Sequence, residues 1–189
     1  MSRATALESI LISPPEEAAP RLLGSLLVSR ADDAEVVVRI TEVEAYKGSD
    51  DPASHAYRGE TPRNTSMFQR PGTLYVYRSY GIHNCANTAA GPEGVGWGIL
   101  IRGGEVVDGS AVAARRRGLR TDLANGPGKL CQALGIQIEH NGIDLLAPTS
   151  VIRLEPGETP DYIMATPRIG ISKAKDKPWR FVAVSQLSA

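Results

Sequence analysis

Cysteine is scarce. Of 189 residues only Cys85 and Cys131 carry a thiol, too few for a disulfide framework, and no further cysteine completes a zinc site. Charge of one sign is also lacking, because 21 Lys plus Arg balance 21 Asp plus Glu to a formal net charge of +0. That balance excludes an overall polycationic nucleic-acid coat and an acidic disordered chain, and leaves room for a local basic face. No apolar run approaches the ~20 residues that span a bilayer. The N-terminal MSRATALESILISPPEE lacks the cationic start, long apolar stretch and small-residue cleavage site of a secretory signal. The histidines His55, His83 and His140 form no HExxH or similar ligand spacing. These absences predict a soluble cytoplasmic protein, not embedded in a membrane, that uses no metal or other cofactor. No internal repeat or low-complexity linker breaks the chain. With 42% hydrophobic residues it can bury a core as one domain over residues 1–189.

What is present is a mixed order of elements. Residues 14–30 predict a helix, with a proline start, Glu16 and Glu17 in the first turn, and Leu22, Leu23, Leu26 and Leu27 on one stripe. Pro20 limits it, so the regular part is expected to begin there. Residues 35–46, EVVVRITEVEAY, predict a strand whose even positions, Val36, Val38, Ile40, Glu42, Glu44 and Tyr46, share a face that turns from aliphatic to carboxylate and aromatic. The polar stretch over 47–72 is too long for a simple connection, and such loops are usually functional or disordered. Residues 73–80 alternate again, Tyr75 and Tyr77 opposite Leu74 and Val76; Gly81 then ends the run and IHNCANTA reads as the returning strand of a hairpin. WGILIR (97–102) predicts a strand, GSAVAARRRG a basic helix, and GPGKLCQALG a helix with Pro127 near its start and Gly135 as its C-cap. VIRLE, DYIMAT, RIGIS and WRFVAV predict short strands. Without regular βαβα alternation, the order points to an antiparallel-rich α+β domain.

Three features carry chemistry. A carboxylate following apolar residues on one strand face can be partly desolvated, the setting in which a general base is tuned; Glu42 and Glu44 have the same parity, so alternation does not choose between them. Six of the ten aromatic residues fall within the 35 positions from Tyr46 to Tyr80, which suits either core packing or a stacking site for a flat ligand. Arg58, Arg63, Arg70 and Arg78 thread that segment, Arg115, Arg116, Arg117 and Arg120 form a block, and Lys173, Lys175, Lys177 and Arg180 form a third cluster. Basic residues interleaved with aromatics fit nucleic-acid contact, phosphates held by charge and bases by stacking.

The run TEVEAY, then His55, TPRN, PGTLYVYRSYGIHNCAN, ILIR and GPGKLCQALG resembles the alkyladenine (3-methyladenine) DNA glycosylases, over residues 8 to 184 and in matching order. The resemblance implies a single α+β domain with a curved antiparallel-rich sheet, flanking helices and a protruding β-hairpin. It further implies damaged double-stranded DNA as partner, with alkylated or deaminated purines excised after base flipping. By that likeness Glu44 is the catalytic glutamate, assisted by Arg102. Tyr46, His55 and Tyr77 would sandwich the flipped base, Asn87 would discriminate against the exocyclic amine of guanine, and Tyr80 would wedge into the duplex. Arg63 and Lys129 would contact the DNA backbone. A monomer is expected for one domain acting on a duplex. Two other readings remain at this level: a non-catalytic nucleic-acid or nucleotide-binding module using the same aromatics, and a metal-dependent hydrolase built from Glu44, His55 and Asp50 or Asp51.

Overall fold

The computed structural model describes residues 3–184. Helices α1 (Arg3–Leu11) and α2 (Pro15–Leu22) lead into an antiparallel sheet of β1 (Leu26–Ser29), β2 (Val36–Tyr46), β3 (Leu74–Ser79), β4 (His83–Ala90), β5 (Trp97–Asp108), β6 (Ile152–Glu155), β7 (Tyr162–Thr166) and β8 (Arg180–Val184). Helices α3 (Ser110–Arg116) and α4 (Pro127–Leu134) follow β5. The main path of the sheet runs β3-β4-β5-β2-β1-β6, with β8 also on β2 and β7 on β8. The curled sheet, its flanking helices and the β3–β4 hairpin are the α+β architecture expected.

β2 is the spine. One edge pairs with β5 from Val37 to Tyr46; the other pairs first with β1, over Val36–Arg39, and then with β8, over Glu42–Glu44. Buried Val36, Val38 and Ile40 join Leu22, Leu27, Leu130 and Leu134 in the main core. The strand then slips register: Ile40 faces Gly104, Glu42 faces Gly103 and Val43 faces Ile101, so Thr41 on β2 and Arg102 on β5 have no opposite partner. Beyond this double bulge the odd residues Val43 and Ala45 enter the core. Glu42, Glu44 and Tyr46 therefore face away from Val36, Val38 and Ile40, which corrects the single apolar-to-acidic face expected from strict alternation. An extra residue inverts the pleat, and bulges commonly re-aim side chains beside active sites.

Two further expectations change. The helix expected over 14–30 is only Pro15–Leu22, with Pro20 inside it rather than before it. Gly24, at φ +84° and against the Glu158 backbone, turns the chain, and Leu26–Ser29 become a strand held between β2 and β6. Backbone pairing on both edges outweighs the helical spacing of the leucines. RIGIS (168–172) forms no strand; its backbone and side chains are used instead around Glu44, as described below. The other elements expected from sequence stand close to their places, including Gly135 in the left-handed conformation after α4; β5, however, runs on from the expected 97–102 to Asp108, and α1 is a helix not expected from sequence.

The close approach of β5 to β2 at the bulge depends on a missing side chain. A Cβ on Gly104 would stand 2.3 Å from Val38 Cγ1 and 2.4 Å from the Arg39 carbonyl oxygen. We predict that Gly104→Ala costs about 2 kcal/mol through overpacking, lowering the melting temperature by about 4–8 °C at this chain length; calorimetry showing an unchanged transition would contradict the packing described.

Candidate active site

The polar stretch after β2 is ordered. Buried Asn64 organises it, its Nδ2 donating to the carbonyls of His55 (3.0 Å) and Gly59 (3.1 Å) and its Oδ1 accepting from the Thr61 amide and hydroxyl. With the segment after β7, this loop roofs the face of the sheet to which the bulge sends Glu44. Between them lies a cavity of about 480 Å³, lined among others by Tyr46, His55, Tyr75, Tyr77, Asn87 and Arg102.

Glu44 sits behind this lining with its side chain wholly enclosed. Burying an ionised carboxylate is costly unless its oxygens are bonded, and both are. Oε1 accepts from the Ile169 amide at 2.7 Å and Oε2 from the Tyr46 hydroxyl at 2.7 Å, while Arg102 Nη1 approaches Oε2 at 3.5 Å. Burial first, and the Glu44 charge second, push the Tyr46 hydroxyl far above its ordinary pKa, so it stays protonated and donates. Arg102 lies where β5 bulges and gives its Nε to Glu42 Oε1 at 3.0 Å. Burial works against its charge, but Glu44 and Glu42 outweigh burial and hold its pKa above the ordinary value. Glu42 also accepts from Arg180 Nε at 2.5 Å. The two glutamates of equal parity thus differ in environment: Glu42 holds two arginines on its Oε1, and Glu44 stands at the back of the cavity.

The aromatic residues split by strand face as expected. Tyr75 and Tyr77 stack at 5.6 Å and 27°, and His55 meets Tyr77 edge-on at 4.5 Å and 81°. His55 Nδ1 lies 3.1 Å from the Tyr75 hydroxyl. One side of the imidazole is open to solvent and the other is packed on the tyrosines; that desolvation, reinforced by the Arg63 charge, lowers its pKa and favours the neutral ring. Burial pushes Tyr75 up to about 12. Among the described residues Tyr46 pairs with no other aromatic ring; its ring carries the Arg168 guanidinium at 4.6 Å. Asn87, cross-strand partner of Tyr75, is fixed by donating Nδ2 to the Tyr75 carbonyl at 3.1 Å. Tyr80 is 91% exposed at the hairpin tip, in a left-handed turn (φ 50°) with Gly81 behind it (φ 74°).

Of the residues expected from sequence, Tyr46, His55, Tyr77, Tyr80, Asn87 and Arg102 line one cavity, and Glu44 lies enclosed behind Tyr46 and Arg102. Arg63 is exposed on the loop beside His55. Lys129 does not present a free ammonium: Nζ donates to Asp122 at 2.5 Å and Asn125 at 2.9 Å. In the basic block, Arg116 binds the carbonyls of Ala31 and Ala133 and Arg117 binds Gln132, so both serve packing. Asp51 is not beside Glu44 as a ligand; both its oxygens accept from Arg168, with neither side chain exposed. Among the described residues no group of three or more His, Cys, Asp or Glu is arranged to hold a metal ion. Sequence reasoning missed Arg168, Ile169 and the role of Asp51, because Arg168 and Asp51 stand 117 positions apart and no local pattern joins them.

With this geometry in view, the comparisons with known proteins become specific. A model of the methylpurine-DNA glycosylase family matches residues 9–186. A Rhodococcus jostii protein assigned the name 3-methyladenine DNA glycosylase is 46% identical over 188 residues, covering 95% of this chain and 82% of the relative. Proteins assigned the same name in Corynebacterium glutamicum and Mycobacterium tuberculosis are each 47% identical; they cover 90% and 88% of this chain, and 80% and 83% of the relatives. No helix among the described residues is long and apolar enough to cross a membrane. The chain belongs to the methylpurine-DNA glycosylase family, and its activity is that of a DNA repair glycosylase.

Proposed function

We propose that this protein acts as a monomer, a single glycosylase domain over the whole chain, on damaged double-stranded DNA in the cytoplasm. In this reading it excises alkylated or deaminated purines, of the 3-methyladenine, 7-methylguanine, hypoxanthine and ethenoadenine class, and leaves an abasic site. The observation that carries this reading is the enclosed Glu44 carboxylate behind an aromatic-lined cavity of about 480 Å³, in a chain of this family.

A base stacked in a duplex is out of reach of Glu44, so the nucleotide is flipped at a cost of a few kcal/mol, least for a damaged pair. Tyr80, exposed at the tip of the β3–β4 hairpin, fills the gap left behind. The base enters between Tyr46 on one side and His55 with Tyr77 on the other. A purine alkylated at N3 or N7 is cationic, which favours stacking on electron-rich rings and on an imidazole held neutral. Asn87, its amide fixed by the Tyr75 carbonyl, reads the purine edge and excludes a guanine amine.

Glu44 accepts a proton from a water as the water oxygen bonds to C1′. The C1′–N bond breaks, and its electron pair leaves with the base; a purine alkylated at N3 or N7 departs neutral, whereas hypoxanthine or ethenoadenine departs as an anion that takes a proton from solvent. The carboxylate also offsets the positive charge that develops on the sugar. Arg102, cationic and anchored by Glu42, approaches Oε2 of Glu44, the oxygen that accepts from Tyr46, and orients it. Water as nucleophile needs no lysine adduct, so the strand is not cut. Arg63 reaches the backbone from the loop, and Lys129 does so by exchanging Asp122 for a phosphate.

Free-base release from a duplex bearing one hypoxanthine, alongside methylated DNA, tests the reading. We predict that Glu44→Gln lowers the single-turnover rate about 10²–10⁴-fold while duplex affinity stays within a few-fold, and that EDTA changes neither value. A folded wild type that binds the duplex and releases neither base would point to a binding module instead.

Removal of the Tyr80 ring should act on capture rather than chemistry. We expect Tyr80→Ala to forfeit about 1–3 kcal/mol of stacking, seen as weaker binding of an abasic duplex by roughly 5- to 150-fold. Unchanged affinity would exclude the wedge.

A further inference from the structure

Both hydrogen bonds that Glu44 receives trace back to one side chain. Arg168 is a wholly buried cation, its Nη1 and Nη2 bound to Asp51, and Nη1 also bound to the Ala45 carbonyl at 2.9 Å. Its guanidinium lies 4.6 Å from the centre of the Tyr46 ring and 5.2 Å from that of Trp179. Tyr46 is the donor to Glu44 Oε2, and Ile169, the next residue in the chain after Arg168, is the donor to Oε1. The same side chain thus joins three separate pieces: the end of β2, the loop after it through Asp51, and the segment after β7.

We propose that Arg168, fixed by Asp51, is a positioning residue that holds the Tyr46 hydroxyl and the Ile169 amide on Glu44 and so sets the orientation of its carboxylate. The inference rests on the reading of Glu44 as general base. Bidentate pairing fixes the guanidinium in one orientation, with its Cζ 4.6 Å from the centre of the Tyr46 ring. Lysine would keep the positive charge and lose both the fork and the flat face. Burial alone would push the Asp51 carboxyl up, but its bonds to Arg168 outweigh this and hold it below its ordinary pKa, so the pair stays charged at neutral pH. Other groups beside Glu44 are Arg102 from β5, Tyr46 from β2 and Tyr77 from β3, with Arg180 its cross-strand partner on β8 and Glu42 bound to both arginines; none of their contacts links Tyr46 to Ile169.

The test compares wild type, Arg168→Lys, Trp179→Leu and Glu44→Gln as full-length chains, using the single-turnover rate of base release against pH and the affinity for an abasic duplex. Small displacements of a reacting group cost up to ~10²-fold in rate, so Arg168→Lys should be about 100-fold slower at neutral pH. Trp179→Leu, which keeps the ion pair and removes one covering ring, should be about tenfold slower. Both should bind the abasic duplex within about threefold of wild type. Donors to a carboxylate favour its charged form, so in both variants the acidic limb of the rate profile should move to higher pH. A merely structural role would lower the melting temperature and leave rate and limb per folded molecule at wild-type values, which would overturn the proposal. If Arg168→Lys does not fold, Trp179→Leu decides by the same two readouts. Should Glu44→Gln release base as fast as wild type, the general-base reading itself fails, whatever the other variants do.

Discussion

Between Ile40 and Val43 the central strand runs out of step with β5, and the site depends on that slip. Before it, the aliphatic side chains of β2 pack under the helices; after it, the opposite parity packs there and two glutamates emerge on the other side. Arg102 is left unpaired in the facing strand at the same place, so its side chain is available to Glu42 and Glu44. A regular ladder would have sent Glu44 into the aliphatic core, where no donor could reach it.

Once turned outward, Glu44 would be an ordinary exposed carboxylate but for the two segments that close over it. The loop after β2 contributes His55 and, through Asn64, a fixed path; the segment after β7 contributes the Ile169 amide. The Arg168–Asp51 pair sews these two segments together in the dry interior. Such a pair gains little net stability over apolar packing, but it admits one arrangement of its bonds. The enclosed carboxylate therefore has its donors in place before a substrate arrives, which is the economy of a preorganised site.

Local patterns read much of this correctly. β3 and β4 with Gly81 between them, the split of Tyr75 and Tyr77 from Leu74 and Val76, and α4 between Pro127 and Gly135 all follow from period-2 alternation and turn residues. The leucines of 22–27 misled, because their spacing suits a helix and a buried strand alike and only the pairing partners, β2 and β6, decide. Arg168, in a stretch that reads as another short strand, gave no local sign of its role.

The amino-acid sequence by itself determined the α+β class, the hairpin that carries Tyr80, the family, and the roster of residues around Glu44, because these rest on short-range patterns and on long motifs with uncommon residues. Which side of β2 faces the cavity, which glutamate is enclosed, and which basic residues are spent on packing were decided only by the tertiary structure. A bulge adds one residue without changing any propensity, and an ion pair across 117 positions has no periodicity. Both are properties of how strands and loops meet in space, where backbone pairing and the cost of burying charge are settled together.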